Sequence, residues 1–249
     1  MMNNTEKSFY ERTLILLGEE KVKRLKSAHI AIFGLGGVGS YALEALIRAG
    51  VGTITLVDCD RIEESNINRQ LLANYSSIGK YKVDEAEERA RNINPNIVIH
   101  KFALFVKKEN IYEILKTGFH FAIDAIDTVE SKIDLLAELY HKKIYMVSCM
   151  GAGMKLDPLC VKISDISKTH TCPLAKIIRT RLREKSIHHG ITCVFSTESP
   201  MQKQMDNTIN RHIPIDTHPN KQPIGSISYI PGIIGLTAAG TLIQHILNS

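Results

Sequence analysis

Three short runs carry side chains and backbone able to handle a phosphate. Gly34-Leu-Gly-Gly-Val-Gly39 places Gly34, Gly36, Gly37 and Gly39 directly after the apolar run 28–33. Asp58-Cys-Asp60 closes a second apolar run, 53–57, and Ser65-Asn-Ile-Asn-Arg-Gln70 then supplies Asn66, Asn68, Arg69 and Gln70. Glycines at that spacing let a backbone turn sharply against a phosphate, and the helix that starts there offers N–H donors and the positive end of its dipole. Asp58 stands where an acidic residue takes ribose hydroxyls. Taken alone, this much also suits hydride transfer from a nicotinamide cofactor.

Further charges shift the balance. Arg69 and Lys82 bring a guanidinium and an ammonium to one nucleotide, which suits three phosphates better than a pyrophosphate already held by backbone amides. Asp127, in Ala125-Ile-Asp127, follows the apolar run 119–125, and a carboxylate beside phosphates is explained by Mg2+. Each residue has an ordinary structural alternative: a solvated helix face for Arg69 and Lys82, a helix cap before Val129 for Asp127. Together they point to ATP.

Positioning these groups requires parallel strands that all deliver their loops to one edge. Apolar runs at 28–33, 53–57, 97–102, 119–125 and 144–149 alternate with helical patterns near 38–49, 79–92 and 129–142. That alternation predicts an α/β fold, a Rossmann-like, doubly wound, mostly parallel sheet with a C-terminal elaboration. Asn94-Pro95 stops one helix, and a further helix is expected over 9–25. The 249 residues are read as one unit, with a nucleotide-binding core over 9–153 and an elaboration for substrate and dimer contacts over 154–249.

The second half is informative in patches. Residues 174–185 read as a helix carrying Lys176, Arg179, Arg181, Arg183 and Lys185, a footprint for nucleic acid or a solvated basic face. The net charge of +5, from 31 basic and 26 acidic residues, is compatible with RNA and does not establish it. The span 199–223 lacks periodicity, and its His212 and His218 read as loop histidines. Residues 222–249 hold no Lys, Arg, Asp or Glu, and their apolar core over 224–247 approaches the length of a membrane span. Pro231 and the glycines of that stretch argue instead for a strand, a Pro-Gly turn and a buried helix, so membrane association is disfavoured. The 5 cysteines include no Cys-x-x-Cys pair, so no zinc site of that kind is expected. Their odd number, with no secretory signal, fits reduced thiols in the cytoplasm.

Gly34–Gly39, Asp58-x-Asp60, Ser65–Gln70, Gly79–Lys82 and Ala125–Asp127 resemble the adenylating domain of the ubiquitin-activating-enzyme-like superfamily over about residues 9–153. The resemblance implies that the glycine loop, Asp58, Asp60, Asn66, Asn68 and Gln70 bind the nucleotide. It also implies that Arg69 and Lys82 hold the triphosphate, that Asp127 binds Mg2+, and that Arg12 reaches the phosphates of a second subunit in a homodimer. Met150–Pro158, Pro173–Ala175 and Val194–Glu198 are similar to one branch, the tRNA threonylcarbamoyladenosine dehydratases. That branch adenylates a threonyl carboxylate on tRNA and closes a ring by attack of the carbamoyl group, and some of its members are associated with a sulfur-relay protein. A monovalent-cation site is left open by the sequence. So are three other functions: activation of the C-terminal glycine of a ubiquitin-like sulfur carrier, nicotinamide-dependent oxidoreduction, and RNA binding without catalysis.

Overall fold

A computed structural model describes residues 4–201 and 224–249. His212 and His218, singled out above, lie outside the described residues. Helix α1 (Asn4–Ser27) precedes strand β1 (His29–Phe33), α2 (Gly39–Ala49) and β2 (Thr53–Val57). Then come α3 (Lys82–Ile93), β3 (Val98–Phe102), α4 (Lys108–Leu115), β4 (Phe121–Asp124), α5 (Val129–His141) and β5 (Tyr145–Cys149). The second half adds β6 (Val161–Asp165), α6 (Pro173–Glu184), β7 (Thr192–Ser196) and α7 (Tyr229–Asn248).

The strands form one 7-stranded sheet in the order β3-β2-β1-β4-β5-β7-β6. Only β6 runs antiparallel, and it closes one edge against β7. β1 pairs in parallel with both β2 and β4, so the strand order reverses beside it. That reversal opens a crevice at the carboxyl ends of the strands, where doubly wound sheets bind ligands. The alternation of side chains along β1 feeds two cores. Ile30 and Ile32 join the cluster under α2, α3 and α7, whereas Ala31 and Phe33 join the one under α4, α5 and α6.

The structure amends the sequence reading in four places. The apolar C-terminal stretch is one helix from Tyr229, with no strand or turn before it among the described residues. Pro231 is its third residue, where a missing N–H breaks no intrahelical bond. By length and composition α7 could cross a membrane, yet it packs on α2 and β5 and buries Ile230, Ile234, Ala238, Leu242 and Ile246. Gly235 is needed there, since a Cβ would come 2.2 Å from the Val38 carbonyl oxygen of the phosphate loop. The short α4 escapes periodicity analysis because only Ile111 and Ile114 are buried on it. The edge strand β6, absent from the apolar runs above, starts only at Val161, because Pro158 and the Asp157 cap on the Leu159 N–H draw 158–160 into a tight turn. Finally, α1 is broken at Gly18 (φ 77°, ψ 168°), a left-handed position that suits glycine.

Candidate active site

The glycine turn leaves β1 and meets the loop after β4. Gly34 has φ +88°, and a Cβ on it would lie 2.7 Å from the Ala125 carbonyl oxygen. At Gly39 a Cβ would lie 1.8 Å from the Gly34 carbonyl oxygen, so the turn is as tight as backbone allows. The result is an approach path for a phosphate at the start of α2.

Asp58 directly follows β2 and anchors this turn. Its Oδ2 accepts the Leu35 N–H at 2.6 Å, and its Oδ1 accepts the Asp60 N–H at 2.8 Å. Burial raises the Asp58 carboxyl above its ordinary range; Lys82 opposes that rise and Asp60 adds to it. Lys82, first residue of α3, is 5% exposed, and its Nζ lies 2.7 Å from Asp60 Oδ2. Burial pulls the Lys82 ammonium down, but Asp58, Asp60 and Asp127 outweigh it and hold its pKa above that of an ordinary lysine. The ammonium therefore stays charged among three carboxylates. A buried cation in that setting can take a phosphate without first acquiring a proton.

Arg69 reaches the same turn from the other side. A Cβ on Gly37 would come 3.3 Å from the Arg69 carbonyl oxygen and 3.5 Å from its Cγ. Its Nη1 donates to the Ser65 carbonyl at 2.8 Å and to Asn68 Oδ1 at 2.7 Å, which hold the guanidinium in place. Asn68 Nδ2 in turn donates to the Ser226 carbonyl, tying the loop to the segment before α7. Asn66 is occupied locally: its side chain accepts the Glu63 N–H and donates to Ser65 Oγ, closing a short 3-10 turn. Gln70 is buried behind Gly36, and its Oε1 has no partner among the described residues. An orphaned acceptor at the turn fits a site built for a ligand.

Asp127 is exposed, three residues beyond the end of β4, and accepts a 3.3 Å hydrogen bond from Thr128 Oγ1. It does not cap α5, whose cap residue is Thr128. Asp127 is the third carboxylate, with Asp58 and Asp60, whose charge acts on the Lys82 ammonium. Glycine turn, Asp58, Asp60, Arg69, Gln70, Lys82 and Asp127 are thus brought to one crevice.

Arg12 is not brought there by its own chain. Tyr10, two residues before it, packs on Gly50 and donates its hydroxyl to the Gly50 carbonyl at 3.0 Å. Gly50 caps the carboxyl end of α2, whose 11 residues put the glycine turn about 16 Å away. The basic face of α6 is also thinner than its sequence suggests. Arg179 Nη1 donates to the Thr169 carbonyl and hydroxyl, Arg181 pairs with Glu130 and Glu184, and Lys185 pairs with Asp134. Lys176 and Arg183 remain exposed, with no ion pair among the described residues.

One feature escaped sequence reasoning. Asp124 and Lys132 form a wholly buried pair at 2.7 Å behind Asp127. An aspartate ending the apolar run Phe121-Ala-Ile-Asp124 was the available signal. Three of the 5 thiols offer little nucleophilicity. Burial pushes the Cys149 thiol up to about 12 and raises Cys193 as well, while at Cys59 burial and then Asp60 push it to about 12.

Comparison with known proteins places the chain among relatives of one fold. Residues 10–249 match the model of the ThiF family. The chain is 38% identical to the tRNA threonylcarbamoyladenosine dehydratase of Bacillus subtilis, over 96% of this chain and 94% of that protein. It also resembles the solved tRNA N6-threonylcarbamoyladenosine dehydratase of Escherichia coli. The AMP complex superposes with a TM-score of 0.88 at 32% identity, and the ATP complex with 0.87 at 31%. Each match covers 100% of this chain and 97% of that one.

Proposed function

The chain belongs to the ThiF family, and on that premise we propose that it dehydrates threonylcarbamoyladenosine in tRNA at the expense of ATP. The observation that carries this reading is the convergence of Lys82, Arg69, Asp58 and Asp127 on the glycine turn, in a fold shared with relatives solved with ATP and AMP.

The turn and the start of α2 take phosphate oxygens, and Asp58 is placed for the ribose. Arg69 and Lys82 neutralise charge as the threonyl carboxylate approaches the α-phosphorus. The new P–O bond gives an acyl-adenylate, and pyrophosphate leaves. The carbamoyl group then attacks the activated carbonyl within the same nucleoside, loses a proton, closes a five-membered ring and expels AMP. Ring closure is intramolecular, so reactive geometry is supplied by the substrate itself and no enzyme nucleophile is required. The raised thiol pKa values at Cys149, Cys193 and Cys59 agree with that. Mg2+, when bound, would be held through Asp127 and would neutralise phosphate charge.

Arg12 lies at the far end of α2, so a contribution to phosphate binding must come from a second subunit, and a homodimer is the assembly that provides it. The exposed Lys176 and Arg183 supply the outward charge for tRNA. We place this activity in the cytoplasm, with the tRNA pool. The test is incubation of the protein with ATP, Mg2+ and threonylcarbamoyladenosine-bearing tRNA, followed by nucleoside mass spectrometry. Loss of one water from the modified nucleoside is expected, and Arg69→Ala is expected to abolish it while leaving circular dichroism unchanged. An unmodified mass with wild-type protein overturns the reading.

A further inference from the structure

Beyond the residues that face the nucleotide, we infer that the buried pair Asp124–Lys132 is a clamp that positions Asp127. Both side chains have 0% exposure. Asp124 ends β4 and Lys132 sits in the first turns of α5, so they bracket the loop that carries Asp127. Asp124 Oδ1 accepts the Ile126 N–H at 3.1 Å, and Lys132 Nζ donates to the Ile126 carbonyl at 3.0 Å. One ion pair therefore holds the peptide groups on both sides of Ile126. Asp127 is the next residue, and the second of those peptide groups is the one that links it to Ile126. Ser148 Oγ, from the neighbouring strand β5, donates to Asp124 Oδ2 at 2.6 Å and fixes the carboxylate to the sheet.

The chemistry of the pair argues for a task beyond holding the core together. Two charges taken fully out of water are rarely more stabilising than apolar residues of the same volume. An apolar pair, however, offers no donor for the Ile126 carbonyl and no acceptor for its N–H. The loop between β4 and α5 is short, and its backbone groups lie at the edge of the crevice, where water would otherwise compete for them. A charged pair shielded from water keeps the loop in one conformation whether or not a nucleotide is present. Outer-shell groups of this kind orient a metal-binding carboxylate, and their loss lowers metal affinity about 10–100-fold.

The inference rests on the proposed role of Asp127 toward Mg2+, and its test separates the two. Removing Lys132 alone would strand a buried carboxylate, so the informative variant is Asp124→Asn with Lys132→Met, which removes both charges together. Urea unfolding establishes that it folds. Two readouts follow: hydrogen exchange at the Ile126 amide in nucleotide-free protein, and retention of radiolabelled ATP in equilibrium dialysis as Mg2+ is titrated. Expected are faster exchange at Ile126 and a Mg2+ requirement raised about 10-fold, with turnover at saturating Mg2+ within about threefold of wild type. A destabilised core by itself would not produce that split. Should the double variant fail to fold, Ser148→Ala withdraws one hydrogen bond and no charge, and a shift of about threefold in the same readouts is expected. Unchanged exchange, or faster exchange with an unchanged Mg2+ requirement, overturns the clamp. If wild-type protein retains no ATP at any Mg2+ concentration, the proposed function falls instead, and exchange at Ile126 alone decides whether the clamp exists.

Discussion

Lys82→Met tests the electrostatics of the site most directly. A unit charge about 4 Å from a phosphate oxygen, at an effective dielectric of about 20, interacts by about 4 kcal/mol. Asp60 already engages the ammonium at 2.7 Å and is half exposed, so part of that attraction is matched before ATP arrives. A net loss of about 3 kcal/mol of transition-state stabilisation remains, about 10²-fold in kcat/KM, in line with deletion of one fixed donor. Pyrophosphate exchange driven by the tRNA substrate is the assay, because it reads adenylation without the later ring closure. The variant should also lose about 1–3 kcal/mol of stability at neutral pH, since Asp58 remains buried without its cation. The sign with pH follows from Asp58. Its carboxyl already titrates above the ordinary 3.8, and it moves further up once Lys82 is gone. The penalty is then fully present above that raised value and is relieved as pH falls toward 3.8. A kcat/KM within threefold of wild type, or a stability deficit that grows on acidification, refutes the reasoning.

Other perturbations probe separate parts of the account. Gly39→Ala places a methyl 1.8 Å from a backbone oxygen, so a loss of about 3 kcal/mol or more in urea unfolding, with no ATP binding, is expected. Lys176→Glu with Arg183→Glu is expected to weaken tRNA binding and flatten its salt dependence in filter-binding titrations, whereas Arg179→Glu should instead lower the thermal midpoint through Thr169. His29 is held neutral, its pKa lowered to about 4 by burial and then by His100 and His120. Its contribution is complete above 6.5 and is lost as pH falls toward 4, about 2 kcal/mol between those limits. His29→Gln is expected to lose less stability than wild type over that interval in denaturant titrations, and an equal loss would remove His29 from the explanation.

Much of the framework was legible because local chemistry and global fold agree in this chain. The strand 53–57 is read from its apolar run and observed as Thr53–Val57, and the alternation of runs yields the parallel sheet. Glycine spacing found the turn because no side chain fits at Gly34 or Gly39. What stayed hidden depends on partners distant in sequence. Arg179 looks like its neighbours along α6 until Thr169 is seen within hydrogen-bond reach of it. Lys132 reads as one more helix lysine until Asp124 and Ser148 close around it. Pro231 suggested a turn because proline usually ends helices, yet its tolerance in a first turn decided the outcome. Nothing in the sequence shows that the Asn66 side chain accepts the Glu63 N–H and so shapes the loop that carries Arg69.

The packing of Gly235 against the Val38 carbonyl has a bearing on biosynthesis. The phosphate turn leaves the ribosome early, but the helix it leans on starts only at Tyr229. Until that helix emerges, α2 packs on β1, β4 and α3 alone, and the Val38 carbonyl lacks the close helix that covers it in the finished fold.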